Sequence, residues 1–90
     1  MAVLVRIPTP LRRFVEGRPV VEARGNTISQ VLGDLGSRYP GVQQRLYDGS
    51  ALRPFVNIYL NDEDIRFLAG EATPVKDGDL ISVVPAIAGG

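Results

Sequence analysis

The chain has 90 residues, 44% of them hydrophobic, with ten basic and ten acidic side chains balancing to a formal net charge of zero. This is one globular domain with one modest core, and the balanced charge leaves no electrostatic footprint for nucleic acid. Cysteine and histidine are both absent, which excludes disulfides, thiolate metal sites, a persulfide on the chain itself and the commonest general base.

In chain order, Val3 to Ile7 alternates with a period of two, which predicts a half-buried strand with Val3, Val5 and Ile7 inward. Pro8 and Pro10 end it, and the following "TPLRRFVEGRP" is read as a loop with Leu11 and Phe14 against the core. Val20 to Arg24 alternates again, with Val21 and Ala23 inward, so the two strands are expected to form an antiparallel hairpin. Thr27 and Gln30 form a capping-box pattern ahead of Ile28, Val31, Leu32 and Leu35, the spacing of one apolar helix face. Gly33 and Gly36 are expected on the outer face or at a close approach, and Pro40-Gly41 is expected to stop the helix. A short helical turn is then expected before Asp48-Gly49.

Phe55 to Asn61 predicts a strong strand, with Val56, Ile58 and Leu60 on one face and Phe55, Asn57 and Tyr59 on the other. "NDED" reads as a turn, Ile65 and Phe67 as a short edge strand, and "KDGD" (Lys76 to Asp79) as a tight turn. Leu80 to Pro85 is the last strand, long enough for a central place beside and parallel to the first. Strands with one long helix predict an α+β fold, a mixed sheet of about five strands with the helix on one face. The expected organisation is a body over residues 1–85 and a flexible Gly-Gly tail over 86–90.

Charge is segregated. Residues 1–24 hold five arginines against two glutamates, and residues 62–79 hold six acids against Arg66 and Lys76. The acids read either as solvated turns or as a face for a basic partner.

The segment "VNIYLNDEDIR", the turn "KDGD" and the final "VVPAIAGG" together resemble the ubiquitin-like sulfur carriers of the MoaD/ThiS group. Asn61, Asp77-Gly78-Asp79, Pro85 and Gly89-Gly90 match that group's pattern in order, and the resemblance spans the whole chain. Within the group, "PFVNIYLNDEDIRF" is most similar to the CysO-type carriers of cysteine biosynthesis, with Pro54 where that subgroup more often has arginine. The single Pro85 followed by Ala86 departs from the double proline of the MoaD type.

The resemblance implies a ubiquitin-like β-grasp fold and a carrier that is not itself an enzyme. An E1-like adenylating enzyme of the MoeB/ThiF type would activate the carboxylate of Gly90 with ATP. A sulfur donor would then leave a thiocarboxylate there. The CysO-like branch implies a PLP-dependent cysteine synthase and a metallopeptidase as partners. The MoaD-like branch implies the large subunit of molybdopterin synthase, and other branches serve thiamin or tRNA thiolation. A protein modifier conjugated through Gly90 is the alternative from another class.

The residues suit this chemistry. Gly90 offers a carbonyl with no neighbouring Cβ, and Gly89 admits backbone angles closed to other residues. Ala86, Ile87 and Ala88 complete a mostly small-residue arm, and Pro85 stiffens its root. No catalytic residue, metal or stably bound cofactor is expected on the chain. Val84, Phe55 and Tyr59 are the candidate docking surface, weighed evenly against ordinary exposed apolar residues for Val84 and Phe55, with Tyr59 leaning to the latter. No stretch approaches the ~20 apolar residues of a membrane span, and the N-terminus lacks a signal pattern, so a cytoplasmic location is expected.

Overall fold

The computed structural model describes residues 2–49, 51–54 and 56–85. Alternation gives β1 (Val3–Arg6), with Val3 and Val5 buried and Leu4 and Arg6 exposed. β2 (Val20–Ala23) pairs with it antiparallel, Val3 opposite Ala23 and Arg6 opposite Val20. The connection is not the expected loop. Thr9–Val15 forms a 3-10 helix, with Pro10 in its first turn, where a missing N–H goes unnoticed. Leu11 and Phe14, three apart, fall on one side of such a helix. Leu11 and Val15 are buried and Phe14 packs partly against the core.

The main helix, α1 (Ile28–Arg38), starts as its sequence dictates. Thr27 Oγ1 accepts the Gln30 N–H at 3.2 Å. The return bond is shifted by one residue: Gln30 Oε1 accepts the N–H of Asn26 at 2.8 Å, not that of Thr27. Ile28, Val31, Leu32 and Leu35 are fully buried, each contributing about 1.5–3 kcal/mol of apolar burial. Pro40 ends α1 and also opens α2 (Pro40–Leu46), which buries Val42 and Leu46 four residues apart. The expected short turn is therefore a full second helix. Proline breaks a helix only from inside, and at the first position its fixed φ is already helical. α1 meets α2 at Gly36, and α2 meets the 3-10 helix at Gly41. A Cβ at Gly36 would overlap the Gln43 side chain, and one at Gly41 would overlap the Phe14 ring. Gly33 faces open space. β3 (Tyr47–Asp48) and β4 (Ala51–Leu52) form a small separate hairpin that the sequence pattern did not announce.

β5 (Val56–Leu60), β6 (Glu63–Asp64) and β7 (Leu80–Pro85) complete the main sheet, ordered β2-β1-β7-β5-β6. β7 is central, parallel to β1 and antiparallel to β5, as its length and apolar content predict. The edge strand is displaced from its expected place. It comprises Glu63–Asp64, and Ile65–Phe67 is a 3-10 turn whose cap, Asp64 Oδ1, accepts the Arg66 N–H at 2.9 Å. In a strand Ile65 and Phe67 would share a face. Here Ile65 is 4% exposed and Phe67 83%. The helices cover one face of the sheet, joined to it by one core that includes Val5, Ile7, Ile58, Ile81 and Val83. Among the described residues no helix is long and apolar enough to cross a membrane.

Candidate functional site

The candidate tail lies outside the described residues: Ala86, Ile87, Ala88, Gly89 and Gly90. Phe55 of the candidate docking surface lies outside them too. The described residues end at Pro85, the last residue of β7.

The start of β7 is held by one asparagine. Asn61 adopts a left-handed φ of 49°, which Asn tolerates better than most residues. Its N–H donates to the Leu80 carbonyl at 2.8 Å, and its Oδ1 accepts the Leu80 N–H at 2.9 Å. Its Nδ2 donates to Asp79 Oδ1 at 3.0 Å. Asp79 Oδ2 accepts the Lys76 N–H at 2.9 Å across the "KDGD" turn. The Asn61 amide, above all, holds the buried Asp79 carboxyl below the usual carboxylate range, and the Lys76 N–H and charge assist against the opposing effect of burial. Asn61 thus caps a turn, as its position suggests, and ties β5 to β7.

Register sets which side chains share the sheet face away from the helices. One row runs Val20, Arg6, Ser82, Tyr59, Asp64 across all five strands. A second places Leu4 beside Leu80, and a third places Asn57 beside Val84. Val84 is 43% exposed, and Tyr59 is half-buried. Ser82 lies on this face, but it is buried rather than open, set in register between Arg6 and Tyr59. Leu4 and Val20 are as exposed as Val84 and extend the apolar character of the face toward β2. Sequence reasoning passed over them, although the alternation of β1 and β2 already turned both away from the core.

Arg66 is the other residue the sequence reading left unassigned. Its Nη2 donates to Asn57 Oδ1 and to Asp64 Oδ2, both at 2.7 Å, so its guanidinium crosses the face next to the Asn57–Val84 pair. The Arg66 hydrogen bonds hold the Asp64 carboxyl below its ordinary range, and Asp64 raises Arg66 in turn.

The acidic segment is largely used inside the fold. Asp64 pairs with Arg66, and Glu71 accepts from Tyr47 Oη at 2.8 Å. Asp77 accepts from the Ala2 N–H at 2.8 Å, and Asp79 from Asn61. Among the described residues, Asp62 and Glu63 are exposed acids of this segment with no such bond. The segment shapes turns more than it builds a charged face. Among the described residues no group of three His, Cys, Asp or Glu is placed to hold a metal ion.

The tail root sits where β7 ends. Val83 lies opposite Ile58 and Pro85 opposite Val56, and this helix-side end forms an apolar cavity of about 190 Å³ with Leu11 and Leu46. Arg45 stands at the same cavity.

With this geometry in hand, three likenesses are informative. The chain is 48% identical to the sulfur carrier protein CysO of Mycobacterium tuberculosis, over 100% of both chains. It superposes on a chain of the Amycolatopsis orientalis BexX/CysO complex with a TM-score of 0.91 and 46% identity, covering 99% of this chain and 100% of that one. It is 39% identical to small archaeal modifier protein 3 of Haloferax volcanii over 71% of this chain and 70% of that protein. The ThiS family profile matches residues 5–90, taking in the body, β7 and the Gly89-Gly90 end together. The chain has the ubiquitin-like β-grasp fold and belongs to the ThiS family.

Proposed function

We propose that this protein is a sulfur carrier whose Gly90 carboxylate is adenylated by an E1-like enzyme and converted to a thiocarboxylate, with cysteine biosynthesis as the destination of the sulfur. The observation that carries the reading is the end-to-end likeness to CysO, running through Pro85 to the Gly89-Gly90 end. The absence of His and Cys agrees with it, because the activating chemistry belongs to partners.

A carboxylate is a poor electrophile. In the activating step a Gly90 oxygen attacks the α-phosphorus of ATP and pyrophosphate departs. Hydrosulfide released by the donor then attacks the acyl carbon, AMP leaves with the bonding pair, and loss of the S–H proton leaves the thiocarboxylate. ATP is thus a co-substrate of the partner. An adenylating enzyme of the MoeB/ThiF type, a sulfur donor, a PLP-dependent cysteine synthase and a metallopeptidase are the proposed partners.

Ordering five tail residues costs about 1–2 kcal/mol each in backbone entropy, so the body must supply binding energy while the tail is held. The open sheet face is proposed for this, centred on Val84 with Tyr59, Phe55, Leu4 and Val20. The exposure of Val84, Leu4 and Val20 on that face supports this use.

The likeness to small archaeal modifier protein 3 favours a second reading, conjugation of Gly90 to lysines of other proteins. Lys76 is the only lysine here, so chains built through this protein's own lysines would have a single branch point.

Deleting Gly90, or adding one residue after it, is expected to abolish sulfur transfer and leave the circular dichroism spectrum unchanged. In the same assay Val84→Arg should weaken partner binding at least about tenfold, the lower range of a central interface residue. Sulfur transfer by the extended chain would overturn the reading.

A further inference from the structure

We propose that the outer edge of β2 is a strand-addition site, which takes an extended acidic segment of another protein parallel to β2, in the groove between β2 and α1. The site is independent of the chemistry assigned to Gly90.

β2 is an edge strand of the main sheet. The Ile7 N–H donates to the Pro19 carbonyl at 2.8 Å. The alternation of an antiparallel ladder then turns the backbone groups of Val21 and Ala23 toward β1 and those of Val20 and Glu22 outward. Side chains of α1 meet two groups on this outer edge. The Glu22 carbonyl accepts from Arg38 Nη2, and the Arg24 N–H donates to Asp34 Oδ2 at 3.0 Å. Arg38 and Asp34 are themselves paired at 3.1 Å, one helical turn apart. In a parallel ladder, one residue facing Ala23 makes these same two bonds with its own N–H and C=O. The ion pair thus stands where one residue of an added strand belongs. An exposed i,i+4 pair contributes little to stability, so an incoming backbone displaces it at small cost and restores both bonds.

Space and charge define the occupant. A groove of about 340 Å³ runs along this edge, lined by Ala2, Glu22, Ala23, Arg24, Asp34 and Arg38. It receives the side chain of the added residue that faces Ala23. The next added residue lies beside Arg24, and the one three positions earlier lies beside Val20, whose neighbour in β1 is Arg6. Among the described residues Arg6 and Arg24 have no carboxylate partner. Carboxylates at those two positions complement them, and the position facing Glu22 takes a neutral side chain. A second copy related by a two-fold axis would set β2 against β2 antiparallel, where two different residues make the bonds to Glu22 and Arg24. The single-residue pattern therefore favours a different chain. β1 separates β2 from β7, so the site lies two strands away from Pro85.

Amide NMR of the full chain tests this, with a capped peptide whose core is glutamate, valine, threonine, valine and aspartate in that order. At low salt the Glu22 and Arg24 amides should shift saturably, and the Glu22 N–H should gain protection from exchange. A spin label on the peptide's N-terminus should broaden Val20 more than Arg24. N-methylation of the second valine removes the N–H meant for the Glu22 carbonyl and should weaken binding about tenfold. Changing both acids to their amides, or raising the salt, should weaken it severalfold. The double variant Asp34→Ala, Arg38→Ala keeps the net charge and should bind about twofold tighter. No saturable shift, shifts confined to the Val84 face, undiminished binding of the N-methyl peptide, or weaker binding by the double variant would overturn the proposal. Shifts of the same amides on diluting the protein alone would assign the edge to a second copy and also overturn it. No activating enzyme enters the measurement, so its failure leaves the carrier chemistry untouched, and failure of Gly90 activation leaves the β2 result standing.

Discussion

Asn61 carries more of this fold than its place in a turn implies. It accepts a left-handed φ, bridges Leu80 through both backbone and side chain, and donates to a buried carboxylate. Only its turn role was legible beforehand, because a hydrogen bond between residues 61 and 79 leaves no mark on local spacing. Asp79 makes the arrangement testable by pH. Its carboxyl titrates below its ordinary value in the folded chain, so the folded state binds this proton more weakly than the unfolded state does. The resulting stability is present above the unfolded value of about 3.9 and is lost as pH falls through the folded one. Asp64 has the same sign through Arg66. Thermal melts of the wild type should therefore decline below about pH 4, and Asp79→Asn should be less stable at pH 7 with a shallower decline. Parallel curves for the two proteins would contradict this account of Asp79.

At the scale of elements, what the sequence announced and what it hid have separate causes. Strands β1, β2 and β5 and helix α1 were readable because each buries one face, which imposes a period of two or of 3.6, and β7 was readable from its length and apolar content. The 3-10 helix at Thr9–Val15 was hidden because Pro8 and Pro10 read as the start of a loop, and the turn at Ile65–Phe67 because three residues are too few to show a period. α2 was underestimated because Pro40 was read only as a stop. Its packing against the 3-10 helix rests on Gly41, where Phe14 lies over the backbone with Arg13 and Arg45 on its ring. Gly41→Ala should push the Phe14 ring out and destabilise the fold by about 1–3 kcal/mol. Urea denaturation measures it, and the double variant Gly41→Ala, Phe14→Ala should recover part of the loss that the steric overlap causes. An unchanged midpoint for Gly41→Ala would show that the ring moves aside without cost.

For the whole molecule, the division of labour follows from topology. A central β7, braced by β1 and β5, ends at Pro85 and delivers whatever follows to one fixed corner of the body. On one side of that corner is the open sheet face at Val84, and the other opens into the cavity of Leu11 and Val83. The face was half legible: Val84 follows from alternation, but Arg66 reaches Asn57 only through the fold. The cavity was not legible at all, since its walls come from residues 10 to 85 on four separate elements. The chemistry assigned to Gly90 is the central claim, and intact-mass spectrometry of the protein from its own cells measures it most directly. The account predicts a species heavier by one sulfur-for-oxygen exchange, localised by fragmentation to Gly90 and lost when the adenylating enzyme is removed. A C-terminus found only as the free carboxylate, or only in isopeptide linkage to other proteins, would contradict it.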